Sequence, residues 1–231
     1  MRLSLTFQTK PTQIYSTTGV ASVLLEELLW VYTESRFLLY TLSYLGLMLT
    51  NYQRDKLINS VLYFATNTKF CGLTKLFKLL YFLDFEHYKQ TGRGVTGLDY
   101  YAWKMGPVPV ALYDEIDSPE QDLAKKVSFK LKPIGRNRRF VQVEPKSAFD
   151  ASHFSKRELR LMETLATEYR DAYADDLVEA THIETLPWHQ VFNVEGRKQK
   201  EIPYDYALRK DEKEIMGFIK KENDEIVENY K

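Results

Sequence analysis

The sequence predicts a mainly helical α+β domain: one domain with a small antiparallel β element. Three observations predict it. Residues 73–90 carry Leu73, Leu76, Phe77, Leu80, Tyr81, Leu83 and Phe85, a stripe too wide for a surface helix and right for a central buried one. Residues 98–104 alternate briefly through Tyr101 and Trp103, with Met105 continuing the pattern up to the Gly106-Pro107 break, as a strand does. Residues 126–132 and 139–143 bracket the turn-forming run Pro133-Ile134-Gly135-Arg136-Asn137-Arg138, the pattern of a β-hairpin.

The remaining elements follow in chain order. Leu57, Ile58, Val61, Leu62 and Phe64 give residues 55–64 a helical core stripe, ended by Asn67-Thr68-Lys69. Gly92 stands where the C-cap glycine of the 73–90 helix belongs. After Gly106, either Pro107 or Pro109 can open a short helix over 108–116 from its first turn. Ser155 with Glu158 three residues on makes a capping box, and Leu159, Met162, Leu165 and Ala166 share one face of the helix it starts, which runs to about Tyr169. Residues 176–182 form another short helix, and Pro187-Trp188 starts a further turn. The tail, 211–231, sets Ile215, Phe218, Ile219, Ile226 and Val227 among many charges and reads as an amphipathic helix.

Composition narrows the function classes. In 231 residues, 44% hydrophobic and 28% charged, the balance is that of a soluble globular protein able to bury a sizeable core. Lys and Arg equal Asp and Glu, so no global field draws the chain to nucleic acid or an anionic membrane. The single Cys71 excludes an internal disulfide framework and any cysteine-rich zinc site, and it suits a reducing cytoplasm. The 16 tyrosines and 3 tryptophans suit a core and equally suit a protein interface.

Residues 1–50 differ from the rest. The first 20 are patternless and rich in Ser and Thr, and an apolar stretch follows, interrupted by Glu26, Glu27, Glu34 and Arg36. Its charge-free part falls short of the roughly 20 residues a spanning helix needs, and a secretory signal lacks both its basic start and its cleavage site. Three readings stay open: an extension upstream of a start at Met48 or Leu49, an amphipathic helix packed on the domain or a partner, and a membrane anchor. No membrane contact is expected of residues 51–231.

Several motifs together resemble one family. Lys78-Leu79-Leu80-Tyr81, the closing Gly92-Arg93, and Gly97 followed by Tyr100, Ala102, Trp103 and Gly106-Pro107-Val108 look like the Panacea (SocA-like) domain. Ser155 opening a charged helix, then Thr181-His182 and Pro187-Trp188, fit as well. The resemblance spans roughly 51–210, leaving 1–50 as an extension and 211–231 as a charged helix. It implies an antitoxin of a bacterial or phage-borne (prophage) toxin–antitoxin pair, which neutralises its toxin by direct protein contact. In some members it implies an adaptor that delivers the toxin to a protease.

The candidate sites are weighed on their residues. Asp84 and His87 share a helical face one turn apart, but no third ligand stands at metal-motif spacing, so the pair is expected to orient backbone from the helix surface. Cys71 has no Cys-His-Asn pattern around it and reads as a small buried thiol. Tyr100, Tyr101, Trp103, Gly106, Pro107 and Tyr113, with Met105, form an aromatic cluster that serves either as core or as partner-binding surface. Alternation sends Tyr101 and Trp103 to one face and Tyr100 and Ala102 to the other, so both uses can coexist. From Lys125 to Arg157 ten basic residues face only Glu144 and Asp150, while Glu158 to Glu184 is acidic. Arg136, Arg138 and Arg139 at the hairpin tip are therefore candidates for operator DNA or for an acidic toxin patch, unless the two blocks are simply solvated or face each other.

The expectation is an antitoxin that acts by occlusion without catalysis, metal or cofactor, since no nucleophile, base and oxyanion donors assemble in the sequence. A DNA-binding autoregulator and a proteolytic adaptor are the alternatives, and a homo-oligomer stays open.

Overall fold

The computed structural model describes residues 52–134, 138–183 and 186–217, all within the unit Thr50–Lys231. The expectations for 1–50, for Arg136 and for the tail beyond 217 lie outside these residues. Of Arg138 and Arg139 the strand positions alone are described.

The first helix, α1, runs over 52–67 and buries Leu57, Ile58, Val61, Leu62 and Phe64. The central helix, α2 (Leu73–Thr91), follows and is buried almost all round, as its apolar run requires. Gly92 ends it at φ 72°, in the left-handed region that favours glycine, and its N–H bonds the Tyr88 carbonyl.

A tight hairpin comes next, β1 (Tyr101–Trp103) against β2 (Gly106–Val108), with Ala102 opposite Pro107. The expected strand is thus shorter than 98–104, and Gly106-Pro107 does not end the β structure but forms its second strand. A proline fits here for a specific reason. The N–H of Ala102 donates to the Lys200 carbonyl and its C=O accepts from Gln199, so Ala102 and Pro107 face each other as a non-hydrogen-bonded pair. The missing proline N–H is not called upon. Pro109 then caps α3 (Val110–Glu115), and α4 (Gln121–Lys126) leads into the long hairpin.

That hairpin, β3 (Val127–Ile134) with β4 (Arg138–Pro145), reaches further towards its turn than its apolar pattern predicts, and β4 also runs on past 143. It docks on the start of α2, where Gly72 bridges to Gln142 and the Val143 N–H donates to the Cys71 carbonyl. A 3₁₀ turn, Ala151–His153, precedes α5 (Lys156–Glu168), whose predicted capping box forms in full between Ser155 and Glu158. Next come α6 (Ala174–Thr181) and α7 (Pro187–His189), the latter running on as a π-helical turn, Gln190–Val194. A second 3₁₀ turn, Tyr204–Ala207, and helix α8 over 210–217 complete the described chain. The architecture is mainly helical α+β with two small antiparallel sheets.

Polar contacts fix the helices round α2. Arg54 of α1 grips Glu115 and Asp122, tying α1 to α3 and α4, and holds the Asp122 carboxyl down at about 2. Lys56 pairs with Glu158 at 2.6 Å, joining α1 to α5. Lys75, fully buried, donates to the carbonyls of Lys69, Arg170 and Ala172, which clamps the α1–α2 turn to the α5–α6 turn.

Candidate partner-binding site

The aromatic cluster divides between core and surface. Tyr100 is fully buried; its ring packs edge-on against Tyr81 and Phe85, and its hydroxyl donates to Asp84 at 2.6 Å. It therefore has no surface to offer a partner. Asp84 is also fully buried rather than on a helix surface, and it does orient backbone. It accepts from the N–H groups of Val95 and Thr96, from the Thr96 hydroxyl and from Tyr100. Burial pushes its carboxyl up and these hydrogen bonds pull it back. His87, one turn on, is held at 2.7 Å to the Arg93 carbonyl in the same loop. Among the described residues no group of three or more His, Cys, Asp or Glu could hold a metal ion.

Trp103 and Tyr113 meet at 5.1 Å and line a cavity of about 660 Å³, a volume in the range of ligand and peptide-anchor sites. Its wall is built from six places: Phe70 and Gly72 before α2, Leu73, Thr74, Phe77 and Lys78 on α2, the β1–β2 hairpin, Tyr113 of α3, Phe140 and Val141 of β4, and Tyr173 and Ala174 at the start of α6. The rim is apolar and open to solvent: Phe70 is 53% exposed, Met105 51%, Tyr113 44% and Tyr173 61%. Four large apolar side chains left uncovered round one hollow are what an interaction site presents, and scattered single ones are not.

The rim is held in place at a local cost. Phe70 has φ 55°, a left-handed conformation uncommon for a bulky residue, and its ring stacks on Tyr173 at 4.9 Å. Tyr113 packs on Phe77 as well as on Trp103.

Gly106 and Pro107 lie beneath this surface. Gly106 has φ 93°, and a Cβ placed on it would stand 2.7 Å from Thr181 Oγ1 and 2.8 Å from Lys78 Cε, so the strand can lie on α2 and α6 only as glycine. The Lys78 ammonium donates to the Pro107 carbonyl at 2.8 Å. Burial brings its pKa down to about 7. On the far side the Trp188 indole N–H donates to the Trp103 carbonyl at 2.9 Å, and the ring stacks between His182 and Phe192. Thus Lys78, Gly106, Pro107, Thr181, His182 and Trp188 are joined as the support under one side of the groove.

The other candidates are placed elsewhere. Tyr101 lies in a separate shallow cleft with Asp99, Val110 and Asp114. Cys71 is buried, and desolvation raises its thiol to about 11, the opposite of an activated nucleophile. On the long hairpin Glu144 pairs at 2.6 Å with both Lys130 and Lys132, so part of the basic block is neutralised within its own sheet. Among the described residues no helix is long and apolar enough to cross a membrane.

Sequence reasoning missed Phe70, Phe77, Lys78, Phe140 and Tyr173 as members of one surface. For Lys78 a signal existed: its neighbours at three and four residues are Thr74, Lys75, Tyr81 and Phe82, so no carboxylate on the helix can pair with it. An unpaired lysine in an all-round apolar helix is a candidate buried amine.

Comparison with known families gives one match. Residues 76–189 match the family model described as Antitoxin SocA-like, Panacea domain. Neither the curated proteins nor the solved structures give a match to this chain. The matched stretch contains α2 from Leu76, both hairpins, α5, α6 and α7, and with them the whole support under the groove.

Proposed function

Residues 76–189 being a Panacea domain of the antitoxin SocA-like family, we propose that this chain is an antitoxin that neutralises a cognate toxin by stoichiometric binding, without catalysis. The observation that carries the reading is the open apolar groove rimmed by Phe70, Met105, Tyr113 and Tyr173. Buried against a partner, four such side chains supply the aromatic anchors that dominate binding energy, and the rigid strands and helices behind them keep the ordering cost low. Occlusion needs nothing else: a toxin covered over its active or membrane-inserting part is inert while the complex lasts.

The test is growth of a bacterial host expressing the open reading frame adjacent to this gene, with and without the full chain. Arrest by the neighbour alone, relieved by this chain, and co-purification of the two at one to one are the expected results. Relief that needs the host's proteases would replace occlusion by delivery to a protease. Absence of rescue sinks the reading for that pairing.

A further inference from the structure

Within the groove, one side chain does not match its surroundings. Lys78 is the only Lys, Arg, His, Asp or Glu among the described residues that line it. It is 1% exposed, and its single hydrogen-bond partner among the described residues is the Pro107 carbonyl. An ammonium has three donors, so two find no partner among the described residues, and no carboxylate among them forms an ion pair with it. Burial first, and then the charge of Lys78, lower the pKa of His182. A buried amine with spare donors and no counter-ion is costly, and the cost is recovered when an anion arrives with its own apolar cover.

Building on the antitoxin reading, we propose that the groove receives an apolar segment of the toxin carrying a carboxylate, Asp, Glu or a chain terminus, which pairs with the Lys78 ammonium while flanking side chains pack on Phe77, Trp103 and Tyr113. A carboxylate fits better than a phosphate because the lining offers one cation and no arginine fork, and phosphate sites gather several donors. The surrounding aromatics would exclude water from the pair, where a charge-assisted hydrogen bond is strongest. Lys78 would then set which partner is admitted, and the rim aromatics would supply most of the affinity.

The experiment uses a small probe that is independent of the toxin. The full chain is titrated with 4-phenylbutyrate and, separately, with 4-phenylbutanamide, the same shape without the charge, followed by calorimetry and tryptophan fluorescence. The acid is expected to bind about tenfold tighter than the amide or better. Lys78→Met is expected to erase that preference, and Lys78→Arg to retain part of it. Equal binding of acid and amide by the unaltered chain overturns the inference, as does a preference that survives in Lys78→Met or the absence of binding by both probes. The comparison on the unaltered chain decides the matter even where Lys78→Met fails to fold. A dimer of the chain that Lys78→Met dissociates would put a second copy in the groove and overturn the toxin as occupant. Failure of the unaltered chain to rescue growth, with the acid preference intact, would sink the antitoxin reading and leave the carboxylate site standing.

Discussion

Tyr100 donates its hydroxyl to Asp84 at 2.6 Å, and the two residues, both fully buried, connect the C-terminal half of the central helix to the strand that carries Trp103. Asp84 meets four donors there, the Val95 and Thr96 N–H groups on one carboxylate oxygen and the Thr96 and Tyr100 hydroxyls on the other. Asp84→Ala leaves the two backbone N–H groups buried without their acceptor and is expected to destabilise the protein by about 2–4 kcal/mol. Tyr100→Phe removes one donor only and is expected to cost about 1–2 kcal/mol. Urea unfolding of both variants checks the order. A change below about 0.5 kcal/mol in Asp84→Ala would mean that the loop is held by something else.

Gly106→Ala tests the support under the groove. The new Cβ would meet Thr181 Oγ1 and Lys78 Cε well inside contact distance, at a backbone conformation that alanine resists. The expected loss is about 2 kcal/mol or more. The β1–β2 hairpin must lift from α6 to relieve the clash, so the Trp103 fluorescence environment should change even where the fold survives. An unfolding midpoint equal to that of the unaltered protein would contradict this packing.

Lys78 predicts a pH dependence with a definite sign. Its folded pKa is lowered from 10.5 to about 7, so between these values the unfolded chain binds more protons than the folded one. Stability therefore rises with pH across that interval and is flat in this group below about 7. Relative to Lys78→Met, the unaltered protein should gain about 2 kcal/mol from pH 7 to pH 9. Using the difference removes the same-signed contribution of Lys75, and stopping at pH 9 avoids Cys71, whose raised pKa lowers stability above its unfolded value of 9.0. Parallel stability curves for the two proteins would show that Lys78 is charged and satisfied in the folded state.

What could be read from the sequence was what is local. The width of the α2 stripe, the left-handed cap at Gly92, the Ser155–Glu158 box and the alternation of Tyr100 and Ala102 against Tyr101 and Trp103 all depend on residues a few positions apart, and all appear in the fold. The β2 strand was not legible, because a proline in a strand is acceptable only opposite a residue whose hydrogen bonds go elsewhere, and Ala102 sends its own to residues 199 and 200. Half of the groove was legible through Trp103 and Tyr113. The other half comes from Phe70, Phe140 and Tyr173, which stand far apart in the chain and converge only when β4 and α6 dock on the start of α2.

The rim itself supplies the last prediction. Tyr113 is 44% exposed and Tyr173 61%, and their side chains donate no hydrogen bond that the described fold depends on. Tyr113→Ala and Tyr173→Ala should therefore leave the thermal midpoint within a few degrees of the unaltered protein. Against the toxin, each is expected to cost about 2 kcal/mol of binding, roughly thirtyfold in Kd, because aromatic anchors at the centre of an interface carry energy out of proportion to their number. Tyr101→Ala, in the separate cleft beside Asp99 and Asp114, is the matched control and should bind normally. Calorimetry on the purified pair, with growth rescue alongside, distinguishes the two surfaces. Loss of binding in Tyr101→Ala with Tyr113→Ala and Tyr173→Ala unaffected would move the contact to the cleft and leave the groove without a role in neutralisation.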